Sequence, residues 1–170
     1  MIIKKNLLKK GLIWGRDIII LCVLFYAVLA FQNRNMLDPN DDIVIAPLTL
    51  VTLDHDKQTI APVEGKQTLI YFFAPWCSVC RASINNLEYV NQQTTQVVII
   101  ALDYADQNEV QRFVDDVGLK LPVYLGYNDM KSLFQISAYP SYYLLDDTFK
   151  LTGKAMGYST ALELFLKSNR

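Results

Sequence analysis

The fold class this sequence predicts is an α/β domain on a mixed β-sheet flanked by helices, preceded by one apolar N-terminal helix. Three observations carry that prediction. From residue 44 onward, short β-branched and aromatic runs alternate with stretches whose apolar side chains recur at helical spacing. One run, residues 96–103, is almost continuously apolar, as a central strand covered on both faces requires. Residues 18–31 carry no charged side chain at all.

Charge divides the chain in the same way. Residues 1–34 hold six basic side chains against Asp17 alone, a net of +5, whereas residues 35–170 hold 10 basic against 16 acidic, a net of −6. So acidic a domain offers no basic face to a nucleic acid, and none is expected as a partner. The part beyond the N-terminal segment has the length of one domain with its own core, and neither a repeat nor a low-complexity tract divides it.

Residues 12–15 extend the 18–31 run to the ~20 residues that a bilayer-spanning helix needs, with Arg16 and Asp17 snorkelling or pairing near the interface. Lys4, Lys5, Lys9 and Lys10 precede this segment and Asp38, Asp41 and Asp42 follow it. By the positive-inside rule the N-terminus stays cytoplasmic and the rest is exported. A cleaved signal peptide has the same layout, and Val28-Leu29-Ala30 offers a small-residue cleavage site. The long basic leader, Trp14 and the bulky Phe31 favour a retained transmembrane anchor over residues 1–33. Cys22 within it reads as an ordinary apolar-face residue. Residues 34–43 are polar and aperiodic, a linker, and the folded domain spans 44–170.

Within the domain, residues 47–53 alternate as a strand, with 58–62 as hairpin partner or edge and His55 in the turn between them, a solvated loop residue. A buried strand ends at Tyr71-Phe72-Phe73, and a helix from Ser78 to about residue 92 follows, with Val79, Ala82, Ile84, Leu87 and Val90 on its apolar face. The central strand 96–103 precedes a helix over 108–117, closed by Gly118. Residues 121–125 form a further strand, Pro122 standing at its start or on an edge. A short helix covers 129–136. Residues 141–145 and 149–155 are strands joined through Asp146-Asp147. Beyond Gly157 a last amphipathic helix starts at Ser159 or Thr160 as N-cap.

The chemistry concentrates at Trp76-Cys77-Ser78-Val79-Cys80. Cys77 stands where strand gives way to helix, where the first backbone N–H groups lack intrahelical partners and the helix dipole is positive. A thiolate placed there is stabilised, and Cys80, one turn inward, is close enough to attack a disulfide formed at Cys77. Zinc would need about four ligands, and the remaining cysteine and the single histidine, Cys22 and His55, lie elsewhere in the chain. A structural disulfide closing so small a loop gains little from chain entropy. The favoured reading is a redox pair, with no metal and no cofactor.

These residues, with Tyr139-Pro140 leading into Ser141-Tyr142-Tyr143-Leu144-Leu145-Asp146 and with Gly157-Tyr158 before the last helix, resemble the thioredoxin superfamily over residues 44–168. The extra helix and strand between Asp103 and Asn128, together with the anchor, resemble its TlpA/ResA branch of membrane-tethered periplasmic reductases, the short ScsD-like proteins nearest. The resemblance implies a thioredoxin-like fold, a cis Pro140 packed against the cysteine pair, and a Tyr139 backbone edge to which an extended substrate adds like a strand. It makes Cys77 and Cys80 catalytic and Trp76, Tyr139 and Pro140 substrate-binding. It also implies a single-pass bacterial inner-membrane protein with its catalytic domain in the periplasm, acting on disulfide-bonded or oxidised proteins and fed by a DsbD-like or CcdA-like membrane donor.

Two positions depart from the pattern. The buried acid that thioredoxins carry six residues before the first cysteine is replaced by Tyr71. The glutamate that ResA-type proteins carry three residues after the second cysteine is replaced by Ser83. The proton relay is therefore missing at its usual address, leaving Glu88, Asp103 or water as candidates; Arg81 either holds negative charge near the site or faces solvent. Two rival functions stand beside protein disulfide reduction. One is copper binding or delivery, for which Met130 or Met156 would have to join the cysteines as a soft ligand. The other is reduction of sulfenic acids or peroxides by the same pair.

Overall fold

The computed structural model describes residues 16–24, 36–127 and 129–158, and the chain divides into two units, Met1–Asn35 and Met36–Arg170. In the first unit residues 16–24 are helical, with Arg16 paired to Asp17 at 3.0 Å. Among the described residues no helix is long and apolar enough to cross a membrane. Most of the expected anchor over 1–33 lies outside the described residues, as does the last helix starting at Ser159 or Thr160.

In the second unit the described residues form a seven-stranded sheet. Its strands are β1 (Leu48–Thr52), β2 (Lys57–Ile60), β3 (Gln67–Phe73), β4 (Thr95–Ala101), β5 (Val123–Leu125), β6 (Ser141–Leu145) and β7 (Leu151–Met156), in the order β2-β1-β5-β4-β3-β6-β7. β3, β4 and β5 run parallel, and each outer neighbour pairs antiparallel. The sheet is mixed, as expected, and Pro122 stands just before β5, where its missing N–H disturbs no ladder.

The period of two sorts the central side chains onto two cores. Tyr71, Phe73, Ile99 and Ala101 face one layer, which also holds both cysteines of the Cys77–Cys80 pair. Ile70, Phe72, Val98 and Ile100 face the other, with Met130, Phe134 and Tyr143. From Ile70 through Ala74 every residue is fully buried. Each large apolar side chain removed from water contributes ~1.5–3 kcal/mol, most of it offset by the entropy of ordering the chain. That continuous burial makes β3 the rigid base from which the next loop is aimed.

Among the described residues three α-helices connect the strands: α1 (Ser78–Ser83), α2 (Gln107–Val117) and α3 (Met130–Leu133). α2 matches the expected 108–117. Asp106 accepts the Glu109 N–H at 2.9 Å, Glu109 reaches back to the Ala105 N–H at 2.8 Å, and Gly118 closes the helix at φ 65°. The helix expected to run to about residue 92 is shorter. α1 ends at Ser83 and tightens into a 3-10 turn over Ile84–Tyr89. The cause is local competition by polar side chains. Ser83 donates to the Val79 carbonyl at 2.9 Å, and Asn85 turns outward to the Val117 carbonyl at 2.8 Å. α3 is likewise one turn rather than residues 129–136, because the chain leaves helical geometry at Gln135, φ 48°.

Part of the expected linker is structure. Met36 is buried, Leu37 N–H donates to the Tyr143 hydroxyl at 3.2 Å, and the Ile43 carbonyl accepts from Leu151 N–H at 2.8 Å. Residues 36–45 thus form a strap beside β7. Its apolar side chains, Met36, Leu37, Ile43 and Ile45, give it a core to join, which a reading of its polar residues alone overlooks.

Candidate active site

β3 ends at Phe73, and Cys77 follows as the N-cap of α1 with extended backbone. Its Sγ accepts the Cys80 N–H at 3.0 Å, so an amide that the helix start leaves without a partner points at sulfur. Cys77 and Cys80 are joined in a disulfide, their Cα atoms 5.2 Å apart, within the bridging range. The pair is asymmetric: Cys77 is 7 % exposed and Cys80 0 %. A partner sulfur approaching from solvent meets Cys77 alone.

The surrounding side chains come from three other segments. Trp76, 63 % exposed, meets the Tyr139 ring edge-on with centroids 5.7 Å apart. Tyr139 packs against the cluster that contains both cysteines, and the Tyr139-Pro140 bond is cis, as expected, with Pro140 buried. Around that bond the Pro140 carbonyl accepts the Gly157 N–H at 2.8 Å and Ser141 Oγ donates to the Ala138 carbonyl at 2.7 Å. The backbone on either side of Tyr139 is therefore committed. Its own N–H and carbonyl take no partner among the described residues.

Beneath the pair, Tyr71 and Ser83 meet. Ser83 Oγ gives its hydrogen to Val79, so the Tyr71 hydroxyl, 3.3 Å away, is the donor in the second link. Burial pushes the Tyr71 pKa far above its ordinary value, the neighbouring Tyr142 adds to the rise, and the Ser83 hydrogen bond opposes it weakly. Tyr71 is therefore neutral at any working pH.

The remaining candidates divide cleanly. Glu88 is committed to the Lys120 N–H at 3.1 Å. Arg81 neither serves the cysteines nor points freely into solvent. It pairs with Asp116 at 3.1 Å and lies 4.9 Å over the Phe113 ring. Asp103 does reach the site: its carbonyl accepts the Trp76 indole N–H at 3.0 Å and its carboxylate is paired with Lys131. Burial, followed by the nearby Asp103 charge, raises the Tyr139 pKa. His55 is an exposed turn residue, as expected, and Cys22 is exposed on the separate N-terminal helix. Met130 is fully buried with Phe72 in the opposite core, and Met156 packs against that same layer. The thioether that a copper site needs is thus withheld from the cysteines. Lys131 is the site residue that the sequence did not reveal, since a lone lysine in a one-turn helix carries no signal of what it faces.

The profile of the Redoxin family matches residues 31–161. The chain belongs to the Redoxin family. This redoxin is similar to thioredoxin-like protein YneN of Bacillus subtilis, 23 % identical over 121 residues that cover 68 % of this chain and 71 % of that protein. It is also similar to thiol-disulfide oxidoreductase ResA of Oceanobacillus iheyensis, 27 % identical over 139 residues, 74 % of this chain and 72 % of that one. Among solved structures, StoA from Bacillus subtilis superposes with a TM-score of 0.63 at 20 % identity, covering 74 % of this chain and 97 % of that one. A thiol:disulfide interchange protein of the thioredoxin family from Chlorobium tepidum gives 0.66 at 20 % identity, with 75 % and 94 % covered. The fold of this redoxin is therefore thioredoxin-like.

Proposed function

We propose that this redoxin is a thiol–disulfide oxidoreductase that reduces disulfides in exported proteins through Cys77 and Cys80. One observation carries the reading. A CxxC pair is joined across the first turn of a helix, with an amide N–H aimed at the outer sulfur and the inner sulfur out of reach of solvent.

That asymmetry assigns the steps. In the reduced protein the Cys77 thiolate attacks one sulfur of a substrate disulfide. A Cys77–substrate bond forms, the substrate S–S bond breaks, and the departing thiolate takes a proton from solvent. Cys80 then gives up its proton and attacks the Cys77 sulfur. The internal disulfide forms, and the second substrate thiolate leaves and takes up the proton that Cys80 released, so two electrons pass from the dithiol to the substrate. An extended substrate segment lies along the Tyr139 backbone, whose N–H and carbonyl, without partners among the described residues, suit strand addition, with Trp76 and Pro140 as the walls.

The likeness to ResA-type proteins favours reduction over oxidation. A reductase of this kind is recharged by a membrane dithiol donor of DsbD or CcdA type. The basic N-terminal end and the acidic domain beyond residue 34 support a retained anchor, with the domain on the periplasmic side of the bacterial inner membrane. The test is substitution. Cys77→Ser should abolish reduction of insulin, and Cys80→Ser should accumulate mixed disulfides with substrate. A Cys77→Ser protein as active as the parent would refute the mechanism.

A further inference from the structure

We infer that Asp103 is a positioning residue which, through Lys131, holds the mouth of the Cys77–Cys80 site in the shape that accepts a polypeptide. The inference deepens the oxidoreductase reading and rests on it for the identity of the substrate.

Asp103 lies just past the end of β4. The β3–β4 ladder runs up to it, since the Leu102 N–H still donates to the Phe73 carbonyl at 2.8 Å. The backbone then turns sharply. Asp103 takes φ 49°, the left-handed region that a non-glycine residue occupies only when its surroundings hold it there. The turn sends its two oxygen-bearing groups to two separate elements. Its carbonyl takes the Trp76 indole N–H at 3.0 Å, and its carboxylate takes the Lys131 ammonium from α3.

Lys131 carries the connection on. Its ammonium lies 5.9 Å from the Tyr139 ring centroid, and the Tyr139 ring meets Trp76 edge-on at 5.7 Å. The Tyr139 hydroxyl is buried and has no hydrogen-bond partner among the described residues. The ring of contacts therefore closes: Trp76 from the loop after β3, Asp103 after β4, Lys131 on α3, and Tyr139 before the cis proline. Trp76 and Tyr139 are the two aromatic walls beside the outer sulfur, and both are tied to one aspartate.

An ion pair with side chains 46 % and 35 % exposed contributes little to stability. Its useful product is orientation. An indole that is largely exposed would otherwise sample several rotamers, and a polypeptide docking between two mobile aromatic walls would have to order them on binding. A small disulfide, which touches the sulfur without spanning both walls, has no such need.

The test uses the full-length protein. The chain has two tryptophans, Trp14 and Trp76, so a Trp14→Phe background leaves Trp76 as the single indole reporter. Asp103→Ala and Lys131→Met should each raise KM for insulin by about tenfold with kcat little changed, the mark of lost binding rather than lost chemistry. KM for a small aromatic disulfide should rise by no more than about twofold. The Trp76 indole bonds to the Asp103 main-chain carbonyl, which alanine keeps, so Asp103→Ala acts on it by relaxing the φ 49° turn that aims that carbonyl; Trp76 emission should then shift to the red and its anisotropy fall. Asp103→Asn tolerates the left-handed backbone and keeps the Trp76 hydrogen bond, so it should restore the emission but not the insulin KM. An unchanged insulin KM in Lys131→Met, which leaves the β4 turn untouched, overturns the inference even if Asp103→Ala folds poorly. If the parent protein reduced neither substrate, the oxidoreductase reading would fail by itself. Trp76 emission, which needs no turnover, would still decide the positioning role, and identical spectra for parent and Asp103→Ala would refute it.

Discussion

The hydroxyl of Tyr71 and Oγ of Ser83 stand 3.3 Å apart in the layer beneath the helix that carries Cys80. By the thioredoxin and ResA resemblances, each of these positions is one where an acid is expected, and here the two neutral groups satisfy one another. Tyr71→Phe should therefore cost no more than about 1 kcal/mol, the worth of one hydrogen bond. It should leave the pH profile of disulfide reduction in place, as read from insulin turnover across pH 5–9 (about the range in which thiols and histidines titrate). Tyr71→Asp should behave in the opposite way. It opens a cavity and buries a carboxyl with little solvent, at a cost of ~3–5 kcal/mol near neutral pH. Burial raises such a carboxyl above its unfolded value. Stability is then greatest below about pH 4 and declines as pH rises through the folded pKa. Denaturant melts of the variant at several pH values show the sign directly.

The two sulfurs should differ as nucleophiles once reduced. Cys77 keeps the Cys80 N–H at its sulfur, and that hydrogen bond favours the anion. Alkylation of the reduced protein, followed by mass spectrometry across pH, should label Cys77 with a midpoint below the ~8.5 of an unperturbed thiol. Cys80, wholly buried, should stay unlabelled until the protein unfolds. Equal labelling of both would contradict the assigned roles.

Acid should weaken the β6–β7 hairpin. The Asp146 carboxylate accepts from Thr148 N–H at 2.9 Å, Thr148 Oγ1 at 2.7 Å and Lys150 N–H at 3.0 Å. Desolvation works against the anion, but the hydrogen bonds from Thr148 and Lys150 and the Lys150 charge outweigh it and leave the pKa below the ordinary value. A lowered folded pKa means stability present above the unfolded value near pH 4. That stability is lost as pH falls through the folded pKa. Asp146→Ala should cost about 1 kcal/mol at pH 7, and the difference from the parent should shrink below about pH 4.

Gly126 has no room for a side chain. A Cβ there would sit 2.4 Å from Leu102 Cδ2, 2.8 Å from the Ala101 carbonyl oxygen and 2.9 Å from Ile100 Cγ2. That same carbonyl accepts the Gly126 N–H at 2.9 Å, so the strand end cannot move aside without losing the bond. Gly126→Ala should destabilise the domain by ~1–3 kcal/mol, measured by thermal melting. Because the displaced segment leads into Asp103, it should also disturb Trp76 emission.

The parts of this molecule that depend on neighbours in sequence were legible in the sequence. The continuous burial of β3, the capped α2 and the Cys77-to-Cys80 spacing are all set by side chains within one turn or one pleat of each other. The structure returns them where the pattern put them. Where local polar groups compete with the helix, as at Ser83 and Asn85, periodicity overstated the element, because apolar spacing does not register a hydroxyl bonded to the preceding turn. The strap of residues 36–45 was hidden for a related reason: its polar majority faces water while Met36 and Ile45 fill a core formed by distant strands. The site divides along the same line. The chain order alone names the reacting sulfurs and the proline before β6. Which sulfur solvent reaches, the meeting of Tyr71 with Ser83, and the joining of Trp76, Asp103, Lys131 and Tyr139 were decided only when the sheet brought the ends of β3 and β4, α3 and the cis-proline loop together. Apart from the Lys131–Tyr139 approach, those contacts span 12 to 63 residues of sequence, and no local propensity encodes a distance that only packing creates.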